Sequence, residues 1–174
     1  MLSALRFVGI VNAAIWLGSA VFLTFVVGPA VFSPTMLELL SRYHAGRVAQ
    51  ILLGRYFILL HLCSAIAVMH LVADWLYAGR NPRRFGLWLL AILVGLGLVG
   101  GFWFQPKLKD LSNVRYATTS TPAQQEAATK SFGMWHGISQ VVNVMMLGGV
   151  LVYFWRLVNT DVPAKFGRTP RLHS

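Results

Sequence analysis

The sequence predicts an all-α, four-helix transmembrane bundle with helical extensions outside the membrane, on three observations. First, 56% of the 174 residues are hydrophobic and only 11% are charged, where a soluble domain carries roughly 25% charged residues. Second, the apolar residues fall into runs of about 20, the length a helix needs to cross the hydrocarbon core. Third, the polar groups inside those runs are few and recur at helical spacing, as in a bundle with an inward-facing polar stripe.

The first run is residues 7–27, broken only by small residues, Asn12 and Thr24. It is too long for a signal-peptide core of about 7–15 residues, so an uncleaved span is expected. Ser33-Pro34 then has the order of an N-cap and a first helical residue. The amphipathic segment behind it leads, as one or two helices, into the second span, residues 56–77. A polar turn from Gly79 to Arg84 separates this from the third span, residues 85–104, which is rich in glycine. Lys107 to Tyr116 reads as an outward extension of that helix. Thr121-Pro122-Ala123-Gln124 has the order of a capping box, which starts the last helix well before its fourth span at residues 135–155. Residues 1–157 thus form one membrane domain, and 158–174 a basic tail broken by Pro163 and Pro170.

Net charge is +10. Beside apolar spans such charge reads as topology signal and head-group contact, with Arg80, Arg83 and Arg84 in the densest cluster. The positive-inside rule weights such short loops most and puts both termini in the cytoplasm. Short loops and the lack of a presequence point to a bacterial inner membrane. No nucleic-acid recognition motif is present.

The polar groups of the spans form a ladder across the bilayer. His136, Gln140 and Asn143 sit at i, i+4 and i+7 on the last span and share one face. Lipid penalises that face, so it is expected to look inward. His61 and Ser64 (i, i+3) are expected to face inward from the second span and Asn12 from the first. His70 lies four residues before Asp74 and is placed to pair with it. The ladder has two readings: a ligand site, or interhelical hydrogen bonding that fixes packing. Gly97-x-x-x-Gly101 and Gly133-x-x-x-Gly137 allow close helix approach, within one bundle or between copies in a homo-oligomer.

Two cofactors fit the residue types. Copper would draw on thioether and imidazole, with His61, His136, Met134 and His70 as candidate ligands and Cys63, Met69, Met145 and Met146 nearby in sequence. A non-covalent b-type haem would use His61 and His136; a covalent haem is excluded because no C-x-x-C-H motif exists. HExxH, GxSxG, P-loop and GxGxxG motifs are absent, and no carboxylate pair lies in the spans, which points away from an enzyme.

Trp16-x-Gly18-x-x-x-Phe22 with Pro29 and Phe32, Ala45-Gly46-Arg47-Val48 with Tyr56-Phe57, and His136-Gly137-x-Ser139-x-x-x-Asn143 together resemble the transmembrane protein 205-like family of small four-span membrane proteins. The resemblance covers about four fifths of the chain and implies handling of a soft metal or small solute, since a eukaryotic member is associated with resistance to platinum drugs. The thiol pairs invoked there do not carry over, because Cys63 is the only cysteine. The first helix is more remotely similar to copper-resistance membrane domains and to the haem-pathway membrane protoporphyrinogen oxidase. Those proteins imply a histidine in helix one, where this chain has Asn12. The expectations are therefore a protein that binds or moves a small solute or soft metal, a haem- or porphyrin-binding redox protein, or a structural subunit of a membrane complex.

Overall fold

The computed structural model describes residues 2–78 and 84–159. Among these, four helices are long and apolar enough to cross a membrane: Ser3–Val31, Arg42–Tyr77, Arg84–Tyr116 and Pro122–Val158. The chain is accordingly an integral membrane protein. Its outward surface is a belt of large apolar side chains, Phe7, Ile58, Trp88 and Val144 among them, which need a bilayer as solvent.

The helices run in an up-and-down ring. The first span packs on the second and fourth, and the third packs on the same two, so first and third are diagonal partners. Each span places one large side chain in the fully enclosed centre: Trp16, Leu60, Leu93 and Val150. Gly97 faces Leu60 so closely that a Cβ would lie 2.6 Å from its Cδ2, and Gly101 admits the His61 ring in the same way, at 2.6 Å from Cε1. The Gly97/Gly101 pair therefore serves packing of the third span on the second. Gly133 and Gly137 meet nothing within 4 Å and lie on exposed surface.

The helical starts follow local chemistry. Ser33 Oγ accepts from Met36 N–H at 3.4 Å and opens α3 (Pro34–Leu39), which is followed by α4 (Arg42–Ala78). The amphipathic segment thus forms two helices. α7 (Pro122–Val158) begins with a complete capping box: Gln124 N–H donates to Thr121 Oγ1 at 3.3 Å, and Thr121 N–H to Gln124 Oε1 at 2.9 Å. Outside the bilayer, α6 (Gln105–Tyr116) and the start of α7 form an antiparallel pair, tied by Gln125 Nε2 donating to Ala117 O at 3.1 Å. At the opposite end Arg6 donates to Val158 O at 2.8 Å, and the Arg156 guanidinium stands 4.7 Å over the Phe85 ring. Arg84 is exposed there; Arg80, Arg83 and the tail from residue 160 onward lie outside the described residues.

Two spans depart from α-geometry. α1 (Leu2–Phe22) passes through a π-helical turn, Leu23–Val27, into α2 (Gly28–Val31). α5 (Arg84–Val99) passes through Gly100–Phe104, also π-helical, into α6. The closing bonds run from Gly28 N–H to Leu23 O and from Gln105 N–H to Gly100 O. A proline follows each closing residue, Pro29 and Pro106. Proline offers no N–H to the carbonyl one turn back and its ring crowds that carbonyl. Taking up an extra residue in the preceding turn relieves both problems and widens the helix locally.

Candidate functional site

The two widened turns lie on diagonally opposite helices, and both line one cavity of about 220 Å³ in the half of the bundle away from the termini. Leu23, Thr24 and Val27 wall it from the first span, Gly100, Phe104 and Gln105 from the third. The second span adds the Tyr56, Phe57 and Leu60 face. The fourth adds His136, Ser139, Gln140 and Asn143, with Met146 below them.

The predicted stripe is therefore brought together: His136, Gln140 and Asn143 all reach the same cavity. Asn143 Nδ2 donates to Thr24 Oγ1 at 2.9 Å and fixes the fourth span to the first at the π-helical turn. Ser139 Oγ donates to His136 O at 2.7 Å within its own helix, and the His136 ring lies flat on Phe132, 5.7 Å between centroids and 10° from parallel. His136 and Gln140 remain exposed while Met146 is buried, so the stripe runs from the mouth of the cavity to its floor.

The other ladder residues stand elsewhere. Asn12 is buried between the first and second spans, where Nδ2 donates to Cys63 O at 2.9 Å. Ser64 is buried in the second span, with no hydrogen-bond partner for its Oγ among the described residues. His61 is turned to the third span. Its ring is 5.1 Å from Phe102 and 6.2 Å from Phe57, and its Nε2 is buried without a hydrogen-bond partner among the described residues. The cause is angular: Tyr56, Phe57 and Leu60 occupy the cavity face of the helix, and His61 lies about 100° around from Leu60. His70 is pressed on the first span at Gly9, where a Cβ would lie 2.5 Å from its Nε2. That nitrogen makes no hydrogen bond, to Asp74 or to any other described residue.

The soft-ligand candidates are dispersed. Met134, Met69 and Met145 are exposed, Cys63 is buried in the second span, and Met146 alone of this set lines the cavity. Among the described residues no group of three His, Cys, Asp or Glu is placed to hold a metal ion. His136 lines the cavity and His61 does not, so the pair named for haem does not share that chamber.

Thr24, Gln105 and Tyr56 belong to the lining but not to the predicted set. The Tyr56 hydroxyl is buried with no partner among the described residues. The signal that finds the site is the pair of prolines, Gly28-Pro29 and Gln105-Pro106, at corresponding ends of the first and third spans.

Chemically the lining is mostly hydrocarbon, with neutral hydrogen-bonding groups concentrated on the fourth span and single ones, Thr24, Tyr56 and Gln105, on the other three. Among the described residues it holds no Asp, Glu, Lys or Arg, and His136 is its one imidazole. Such a lining is chemically suited to a neutral molecule; an ion would enter it without a countercharge.

No curated protein matches this chain, and no solved structure does. Residues 11–117, which cover the outer turns of α1 through the third span and α6, match the family described as Domain of unknown function (DUF4149). The match takes in both widened turns and stops short of the last helix, and on its extent the chain belongs to that family.

Proposed function

We propose that this protein binds a small uncharged solute inside the bundle, held by the His136, Gln140 and Asn143 stripe and opposed by the aliphatic and aromatic walls. One observation carries the reading: the only polar stripe of the fourth span opens onto a chamber that two π-helical turns widen from opposite sides. A purely structural stripe would close on its neighbours; here Asn143 is so engaged, while His136 and Gln140 stay open at the mouth. The absence of a charged lining residue favours a neutral solute over a metal ion. In this reading the protein is not an enzyme, both termini face the cytoplasm, and the membrane is a bacterial inner membrane. That orientation rests on the short basic turn of the sequence, Arg80 to Arg84, which the positive-inside rule weights most.

The test is mass spectrometry of small molecules released from gently purified protein. Wild type is expected to carry one compound near stoichiometry, and His136→Ala and Asn143→Ala to lose it while remaining helical and monodisperse. Equal occupancy in wild type and both variants would overturn the reading.

A further inference from the structure

Within the solute-binding reading, on which this step rests, the geometry points to a lipid-dissolved quinone as the occupant, admitted sideways between the first and fourth spans. The position of the mouth comes first. Of the cavity lining, Gly28, Phe32, Leu52, His136 and Gln140 remain exposed. Gln140 lies about 8 Å along the helix from Trp135, the expected membrane boundary, so the opening reaches hydrocarbon depth. Below it the gap closes. Asn143 holds Thr24, and further inward the edge of Trp16 packs on Tyr153 at 6.4 Å between centroids. The two helices are joined in one half and parted in the other, leaving a lateral crevice whose apex is the Asn143–Thr24 bond.

The chemistry of the wall narrows the class. A phospholipid head brings a phosphate, and the lining has no lysine or arginine to meet it. A bare acyl chain would leave the amides unused. Gln105 and Gln140 each carry donor and acceptor atoms, and the His136 imidazole offers one of each. Such a set accepts a carbonyl oxygen or a hydroxyl at the same place without rearrangement, which matches a head that exists in both forms. Phe57, Phe104 and Tyr56 supply ring faces for a planar head. The volume, about 220 Å³, is below the roughly 300–1,000 Å³ of pockets that enclose a whole drug-sized ligand. It suits a head group whose tail leaves through the crevice into lipid.

The experiment uses full-length protein in phosphatidylcholine nanodiscs and a photoreactive azidobenzoquinone with a decyl tail. Labelling is expected to saturate, to map to the outer half of the first span and to the fourth span near Gln140, and to be competed by unlabelled decyl-tailed benzoquinone. Gln140→Leu should weaken it at least about tenfold, the scale of one buried hydrogen bond. Val27→Trp fills the chamber without removing a polar group and should do the same, and both variants should stay helical and monodisperse, which separates a lost site from a folding defect. A tailless benzoquinone should compete at least about tenfold less well, because burial of tail methylenes adds affinity. Equal competition by the tailless analogue would overturn lateral admission. Labelling that is uncompeted, or unchanged in both variants, would overturn the quinone assignment. So would displacement by phosphatidylglycerol. The solute-binding reading would then stand or fall on the co-purification test alone, where any bound compound counts.

Discussion

The amide of Asn143 donates to the hydroxyl of Thr24 across 2.9 Å, joining the last span to the first at the point where the first turns π-helical. Each partner would be an isolated polar group in a low-dielectric setting without the other. The bond therefore decides where the two helices stop being packed and begin to part.

Removing either side of this bond should loosen the bundle modestly. Thr24→Val and Asn143→Leu are each expected to cost about 1 kcal/mol, in the range measured for hydrogen bonds between membrane helices. A double-mutant cycle of unfolding in detergent checks it. The two changes should be clearly non-additive, and strict additivity would mean the pair is not coupled.

The prolines make a second prediction. Pro29→Ala and Pro106→Ala restore a backbone N–H, so each preceding π-helical turn is expected to relax toward α-geometry and the cavity to shrink. Interior helical proline costs about 3 kcal/mol, so the variants should be no less thermally stable than wild type. They should nevertheless carry less bound solute. A variant that keeps full occupancy with an α-helical turn would show that the widening is not needed for binding.

Close approach at Gly9 is open to a direct test. A methyl there would meet the His70 ring at 2.5 Å, so Gly9→Ala should destabilise by about 1–3 kcal/mol as overpacking does. Gly137→Ala meets nothing within 4 Å and serves as the control, with no loss expected. Thermal unfolding of the two variants side by side gives the answer, and equal behaviour would contradict the packing described.

The capping box predicts a local effect. Thr121→Ala should remove about 1 kcal/mol from the start of α7. Faster amide exchange is expected over residues 123–125, with exchange in the spanning part of the helix unchanged. Uniformly faster exchange would show instead that this end governs the stability of the whole bundle.

Much of this architecture is legible in the chain because lipid imposes simple rules. Long apolar runs have to become helices, and Ser33-Pro34 and Thr121-Pro122 announce their own starts. The stripe on the last span was equally legible, since a period of 3.6 residues places His136, Gln140 and Asn143 together. What one helix cannot disclose is its rotation against its neighbours. His61 and Ser64 follow the same periodic logic, yet the second span presents Tyr56, Phe57 and Leu60 to the cavity and turns His61 toward Phe102. The glycines show the same limit. Gly97-x-x-x-Gly101 and Gly133-x-x-x-Gly137 read alike as sequence, but only the first pair meets a facing helix. A π-helical turn adds one residue to the count, so periodicity drawn through it slips out of phase.

The bond from Arg6 to Val158 joins positions 152 apart in the chain, and Trp16 against Tyr153 spans nearly the same distance. These contacts have consequences for biogenesis. The ribosome makes the first span early, and the fourth, one of its two neighbours, only after the second and third. In the interval the first span waits in the bilayer beside the second and third, its Thr24 hydroxyl lacking the amide of Asn143. Arrival of the fourth helix closes the ring and creates the chamber in one event. A chain that stalls or is cut before Pro122 would leave an open three-helix sheaf exposing Trp16 to lipid, a distinctive surface for membrane quality control to grip.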